Sequence, residues 1–104
     1  HDEMIGFVSQ LTHVIAVALM NSSDNHNLAN YTGDSFRDLT RIARINENMW
    51  SELFLLNKDA LTKQMDIFID VFTKMRDMVQ NDDREGLCEM MRTSTERRAW
   101  FDKK

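Results

Sequence analysis

The sequence predicts an all-α domain, a small bundle of about five helices, and three observations favour that class. Proline is absent and glycine occurs only three times in 104 residues, so the chain lacks the residues that tight β-hairpin turns require. Apolar side chains recur at the three-and-four spacing of a helix face. The hydrophobic content of 42% is typical of a folded globular domain, and the length allows one core.

The first predicted helix covers residues 3–20. Its apolar face consists of Met4, Ile5, Val8, Leu11, Ile15 and Leu19. Residues 21–27 are polar turn formers and predict a loop. A second helix is expected to begin at Asp34 or Ser35, where Ser35 and Asp38 have the spacing of a weak capping box.

A long apolar stripe from Met49 to Val79 predicts the central helices, with Asn46 as the N-cap. Asn57 interrupts this stripe and marks an expected break between two helices. If the stripe were one helix, it would be about 45 Å long, whereas a domain of this size has a radius of gyration of only ~13 Å. Asn81 or Asp82 is the expected cap of the last helix.

Further apolar residues lie outside the stripe of the central helices. They are Leu56, Ile67, Ile69, Val71 and Met78. Apolar side chains on two sides of a long helix in a small protein need cover from another chain. The pattern therefore predicts an oligomer, with the long helix in an intertwined dimer interface.

Composition argues against several functional classes. The formal charge of −4 and pI near 5.3 disfavour a nucleic-acid binder. One cysteine and three scattered histidines predict neither a disulfide nor a zinc site. The longest apolar run, 14–20, falls far short of the ~20 residues that span a bilayer, so no membrane segment is expected. The start His1-Asp2-Glu3 predicts a processed product or a piece of a longer protein.

Three arginines, Arg37, Arg41 and Arg44, recur at i, i+4 and i+7. This spacing predicts a ridge along one side of a single helix. Arginine binds a carboxylate or phosphate through two parallel hydrogen bonds. The simpler alternative is a solvated basic ridge paired with Asp34 and Asp38.

His13, Trp50 and Cys88 are the other candidates for chemistry. His13 lies within an apolar helix, where a histidine is either a satisfied core residue or a ligand-binding group. Trp50 begins the apolar stripe and is most simply a core residue. Cys88 lies on an apolar face and reads as an inert thiol.

Five strings of the sequence are similar to the pattern of a known family. GDSFRDLTRIA at 33–43, followed by NENMW at 46–50, is similar to the pattern G-F-R-D-x-T-R-I-A and then M-W. His1-Asp2 and SQLTH at 9–13 are similar to H-D and S-H-L-P-H, and FLLNKDAL at 54–61 is similar to F-L-x-N-K/R-x-A-L. Together these strings resemble the prephenate dehydrogenase family over nearly the whole chain.

The resemblance implies that residues 1–104 are a C-terminal helical dimerisation and substrate-closing domain. The family's N-terminal Rossmann domain, which binds NAD and in some members NADP, is absent from this chain. The full enzyme would oxidatively decarboxylate prephenate to 4-hydroxyphenylpyruvate in tyrosine biosynthesis, as a cytoplasmic homodimer. The fragment alone is expected to be inactive, with no catalytic, cofactor-binding or metal-binding residue of its own.

The resemblance also implies roles for individual residues. Arg41 matches the arginine that anchors a carboxylate of prephenate, and His13 matches the histidine that contacts substrate or the product tyrosine. Trp50 matches the tryptophan that lines this pocket, and Gly33 falls in the turn beside it. His1-Asp2 matches a polar pair near the domain junction.

The sequence departs from the family pattern at two places. Gln10 and Thr12 replace the first His and the Pro of S-H-L-P-H, which removes one ligand. Asp34 and Ser35 replace part of a glycine run, which makes the turn stiffer and more acidic.

Two other functions compete with this interpretation. A stand-alone helical module would recognise an acidic partner through the arginine ridge. A two-domain dehydrogenase for other hydroxy acids ranks lower, because such enzymes lack the T-R-I-A and M-W pairing.

Overall fold

A computed structural model describes residues 2–102, and every regular element in that range is helical. The α-helical segments are α1 (Asp2–Ile5), α2 (Leu11–Met20), α3 (Asp34–Thr40), α4 (Glu47–Leu56), α5 (Lys58–Gln80) and α6 (Arg84–Arg98). A π-helical turn, Gly6–Gln10, joins α1 to α2 in one continuous helix. The segments therefore form five helices, which confirms the predicted all-α class.

The chain divides into two compact units, His1–Asp66 and Ile67–Lys104. In the first unit the core side chains are Leu11, Ala16 and Leu61, each at most 4% exposed. Helix α2 packs against α3 and against the 3₁₀ turn Arg41–Ala43, which follows α3. This packing places residues 34–43 against the helix that carries His13.

The π turn changes which side of the first helix is buried. Met4 and Val8, predicted for the apolar face, are 69% and 64% exposed, whereas Gly6 and Gln10 are buried. A π turn contains an extra residue, which rotates the helix before it by about 100° relative to the helix after it. The predicted face is therefore wrong for the first half of the helix, although Leu11 lies in the core as expected.

The junctions around α4 follow the sequence closely. The Asn46 side chain accepts a hydrogen bond from the Met49 backbone N–H at 3.0 Å, which confirms the predicted N-cap. Asn57 separates α4 from α5, so the apolar stripe forms two helices. The 23 residues of α5 give a length of about 35 Å.

The cap of α6 differs from the prediction. Asp82 has a positive φ of 55°, and the N–H groups of Asp83 and Asp82 bond to the Met78 and Val79 carbonyls, as in a Schellman motif. Asp83 then caps α6, since its carboxylate accepts from the Gly86 N–H at 2.9 Å. Asn81 and Asp82 are consumed in ending α5, so the predicted cap was wrong by one or two residues.

Replacing Asn46 with alanine is expected to lower the free energy of unfolding by about 1 kcal/mol, because the Met49 N–H loses its acceptor. The measurement is urea unfolding followed by circular dichroism. Asn48→Ala is the matched control, since Asn48 is an exposed residue within the first turn of α4. Equal losses in the two variants would show that the Asn46 side chain does not stabilise α4.

The first helix also has the length and composition of a membrane span. Asp2–Met20 is 19 residues long with a mean hydropathy of 1.5. The uninterrupted apolar run 14–20 is much shorter, because polar residues are scattered through the rest of this helix. A core helix of a soluble protein passes the same test, and this helix supplies Leu11 and Ala16 to the core of the first unit. The absence of a membrane segment remains a prediction.

Candidate functional site

Two aromatic rings stack between α2 and α4. The ring centroids of His13 and Trp50 are 3.9 Å apart with an interplanar angle of 22°, and both side chains are half-buried. Phe54 contacts Trp50 from one turn further along α4, at 5.8 Å between centroids. The three rings form a half-buried aromatic cluster in which Phe54 is tilted by 60° to Trp50.

The backbone of the π turn orients the imidazole. His13 Nδ1 lies 2.7 Å from the Ser9 carbonyl oxygen, and because a carbonyl only accepts, Nδ1 carries the proton. The same carbonyl accepts from the Thr12 hydroxyl at 2.7 Å. His13 Nε2 is therefore the ring nitrogen left for a ligand, an acceptor in the neutral ring and a donor when the ring is charged.

Arg41 lies on an element that touches the helix of His13. Helix α3 ends at Thr40, and Arg41 begins the 3₁₀ turn Arg41–Ala43, which packs against α2. The Arg41 side chain is exposed. A guanidinium at this position is accessible to a ligand carboxylate.

The three arginines do not form the predicted ridge. The guanidinium of Arg37 donates to the Ala29 carbonyl at 3.3 Å, so it holds the preceding loop. Arg44 is in extended backbone after the 3₁₀ turn, with φ −91° and ψ 97°. The helix tightens and ends before the i+7 position is reached, so the prediction of one shared helix face was wrong.

Gly33 and Asp2 have local roles in the backbone. Gly33 is the N-cap of α3, with φ −99° and ψ −169°, a backbone that any residue adopts, and a Cβ there would meet no atom within 4 Å. The Asp2 side chain is exposed, while its carbonyl accepts from Asn57 Nδ2 at 3.1 Å. His1, the other half of the predicted polar pair, falls outside the described residues.

Charge and metal chemistry add little within the described chain. Lys63 donates to the Glu3 carboxylate at 2.7 Å, and this hydrogen bond lowers the pKa of Glu3 below its ordinary value. Both side chains are exposed, so the pair contributes little to stability. Across residues 2–102 no three His, Cys, Asp or Glu side chains are grouped to hold a metal ion.

The family model for the prephenate dehydrogenase dimerization domain matches residues 1–93. The chain belongs to this family. The resemblance expected from the GDSFRDLTRIA and NENMW strings is thereby confirmed. The match places the stacked rings, the Arg41 turn and the π turn all inside the dimerization domain.

Two curated relatives cover nearly the whole dimerization domain. The prephenate dehydrogenase of Bacillus subtilis (strain 168) is 28% identical over 103 residues, which is 94% of this chain and 28% of the relative. The cyclohexadienyl dehydrogenase of Zymomonas mobilis is 31% identical over 104 residues, which is 94% of this chain and 36% of the relative. The chain thus spans about a third of the length of these relatives.

Two solved structures share the fold. The prephenate dehydrogenase from A. aeolicus, in complex with hydroxyphenyl propionate and NAD+, has a TM-score of 0.86 at 30% identity, over 97% of this chain and 37% of that one. The Synechocystis arogenate dehydrogenase has a TM-score of 0.88 at 18% identity, over 97% of this chain and 39% of that one. The second likeness concerns the fold alone.

Sequence reasoning missed the roles of Gln10 and Asn57. Gln10 is only 4% exposed, and its side chain is hydrogen-bonded to Asn57 at 2.7 Å. The sequence signal was present, since each is a polar residue that interrupts an apolar helical pattern. Their pairing could not be read from the sequence because the two positions are 47 residues apart and meet only through packing.

Proposed function

We propose that this chain is the C-terminal dimerisation and substrate-closing domain of an NAD-dependent prephenate dehydrogenase. The full enzyme oxidises prephenate by hydride transfer to NAD with loss of carbon dioxide, and the product is 4-hydroxyphenylpyruvate, a precursor of tyrosine. The observation that carries the proposal is the His13–Trp50 stack on α2 and α4, with the Arg41 turn packed against the same α2, in a chain of this family.

The side chains of this site suit a cyclic dicarboxylate. Arg41 pairs with one carboxylate of prephenate, which contributes both affinity and orientation when the site is closed to water. Trp50 forms the apolar wall against the ring. His13 Nε2 contacts a polar substituent of prephenate or of tyrosine, and Gly33 leaves open space at the start of α3.

NAD is assigned to another part of the protein. Residues 2–102 contain no strand and no glycine-rich turn leading into a helix, so they do not fit a dinucleotide. Its binding site belongs to an N-terminal domain of the full-length protein, and NADP is the alternative cofactor. The chain's own contribution is to bind prephenate and to close over it.

The partner proposed for this domain is a second copy of the chain. Many large apolar side chains are exposed within residues 2–102, including Met4, Phe7, Val8, Ile69, Phe72, Val79 and Met91. Such an extent of apolar surface is typical of an obligate interface.

A cytoplasmic location follows from the proposed biosynthetic role. The alternative of an acidic-partner module loses support because the arginines share no helix face.

The test is turnover by the full-length protein. NADH absorbance is expected to rise only when prephenate and NAD are both present, with one carbon dioxide released for each NADH, because decarboxylation accompanies hydride transfer. Arogenate and NADP are assayed in parallel to identify the preferred pair. A folded, dimeric protein that turns over neither prephenate nor arogenate would contradict the proposal.

A further inference from the structure

We infer that the side chains of Gln10, which is buried, and Asn57, which is half-buried, form an amide clamp that positions the His13–Trp50 stack. Gln10 is thus a positioning residue that acts through His13 and Trp50, without touching substrate itself. The consequence for catalysis rests on the proposed function, whereas the effect on the stacked rings does not.

The hydrogen bonds of the clamp define the orientation of both amides. Gln10 Nε2 donates to the Leu53 carbonyl at 3.2 Å, and Gln10 Oε1 accepts from Asn57 Nδ2 at 2.7 Å. Asn57 Nδ2 also donates to the Asp2 carbonyl at 3.1 Å. Since the two carbonyls only accept, each amide has one arrangement that satisfies its partners.

The clamp ties together the two helices that carry the rings. Gln10 lies three residues before His13 on one helix, and Leu53 lies three residues after Trp50 on α4. Three residues of helix correspond to about 4.5 Å along the axis. The clamp therefore acts within one helical turn of the stack on each side.

Burial makes the clamp sensitive to substitution. Gln10 is 4% exposed, so water does not readily replace a lost partner, and an unpaired amide group in such a place is disfavoured. Removing the Gln10 amide frees α2 to shift against α4. A shift of about 1 Å in a binding wall is enough to cost up to a hundredfold in rate.

The primary experiment observes the stack directly in the full-length protein. Stacking over the Trp50 indole shifts the His13 Cε1–H proton resonance upfield, and the resonance is assigned with the variant His13→Ala in histidine-labelled protein. Gln10→Met keeps the length of the side chain but removes its hydrogen bonds, and it is expected to abolish most of the upfield shift. Gln64→Met is the matched control, since Gln64 is a half-buried residue of α5 in the same unit.

Two further variants keep the test decisive. Gln10→His restores one donor and one acceptor, as in the family pattern, and is expected to retain the upfield shift. Asn57→Ala removes the donor to Gln10 but leaves the bond from Gln10 to Leu53, and a partial loss of the upfield shift is expected even if Gln10→Met does not fold. An unchanged His13 resonance in folded Gln10→Met or in Asn57→Ala would overturn the inference.

Kinetics then test the consequence for catalysis. Gln10→Met is expected to lower kcat/KM for prephenate at least tenfold while KM for NAD changes less than twofold, because NAD binds elsewhere. In the background of His13→Ala, Gln10→Met is expected to lower kcat/KM for prephenate less than twofold. An equal loss in both backgrounds would assign Gln10 a structural role only. Absence of turnover by the unsubstituted protein would refute the proposed function. The clamp would then be tested by the His13 resonance alone.

Discussion

Replacing Arg41 with alanine in the full-length protein is expected to lower kcat/KM for prephenate roughly a hundredfold. Under the proposed function, Arg41 pairs with a carboxylate of prephenate once the site closes over it. Truncating one partner of such a desolvated, hydrogen-bonded charge pair costs about 3 kcal/mol. The guanidinium is exposed on a turn that packs against α2, so the fold does not depend on it. Steady-state kinetics with varied prephenate measures the loss, and thermal unfolding verifies that the variant is folded.

Arg44→Ala is the matched control for this prediction. Arg44 is exposed and lies in extended backbone beyond the 3₁₀ turn, so its removal is expected to change kcat/KM less than threefold. Arg37 holds the Ala29 carbonyl, and Arg37→Ala tests the loop separately. Similar losses for Arg37, Arg41 and Arg44 would instead support an acidic-partner module.

The chain of 104 residues is expected to be a stable dimer at tens of micromolar, and Phe72→Glu is expected to convert it to a monomer. Phe72 is 62% exposed, so a glutamate there does not disturb the interior of one chain. At an apolar interface the same unpaired charge costs several kcal/mol, which corresponds to a weakening of the dimer by at least a hundredfold. Sedimentation velocity over a concentration series measures the change.

Thr73→Glu is the control for the dimer prediction. Thr73 is exposed on the same helix but lies outside the arc of about 200° that carries the apolar side chains of α5. The added charge is the same, and the variant is expected to remain dimeric. A monomeric unsubstituted chain, or equal weakening by the two variants, would contradict the proposed interface.

Features that depend on neighbouring residues were predictable from the sequence. The Asn46 cap and the break at Asn57 follow from a side chain that bonds to its own backbone and from the interruption of a local period. Helix α3 begins at Asp34 as expected, but its N-cap is Gly33 and no side chain caps it, so the predicted capping box of Ser35 and Asp38 is wrong. The family was also readable, because GDSFRDLTRIA at 33–43 and NENMW at 46–50 carry it in two short strings.

Local rules failed where two patterns competed. Asn81, Asp82 and Asp83 are all residue types that cap helices well. Asp83 is the N-cap of α6 because the terminal turn of α5 includes Asn81 and Asp82. The arginine spacing was helical, yet the helix changed to a 3₁₀ turn at Arg41. Neither outcome is encoded in the spacing itself.

The sequence by itself determined the helical class, most helix ends and the family to which the chain belongs. Only the tertiary structure decided that a π turn directs Gln10 inward, that Gln10 meets Asn57, and that His13 stacks on Trp50. The physical reason is that these contacts join residues on different helices. Such contacts form only when packing sets the position and rotation of each helix against the next.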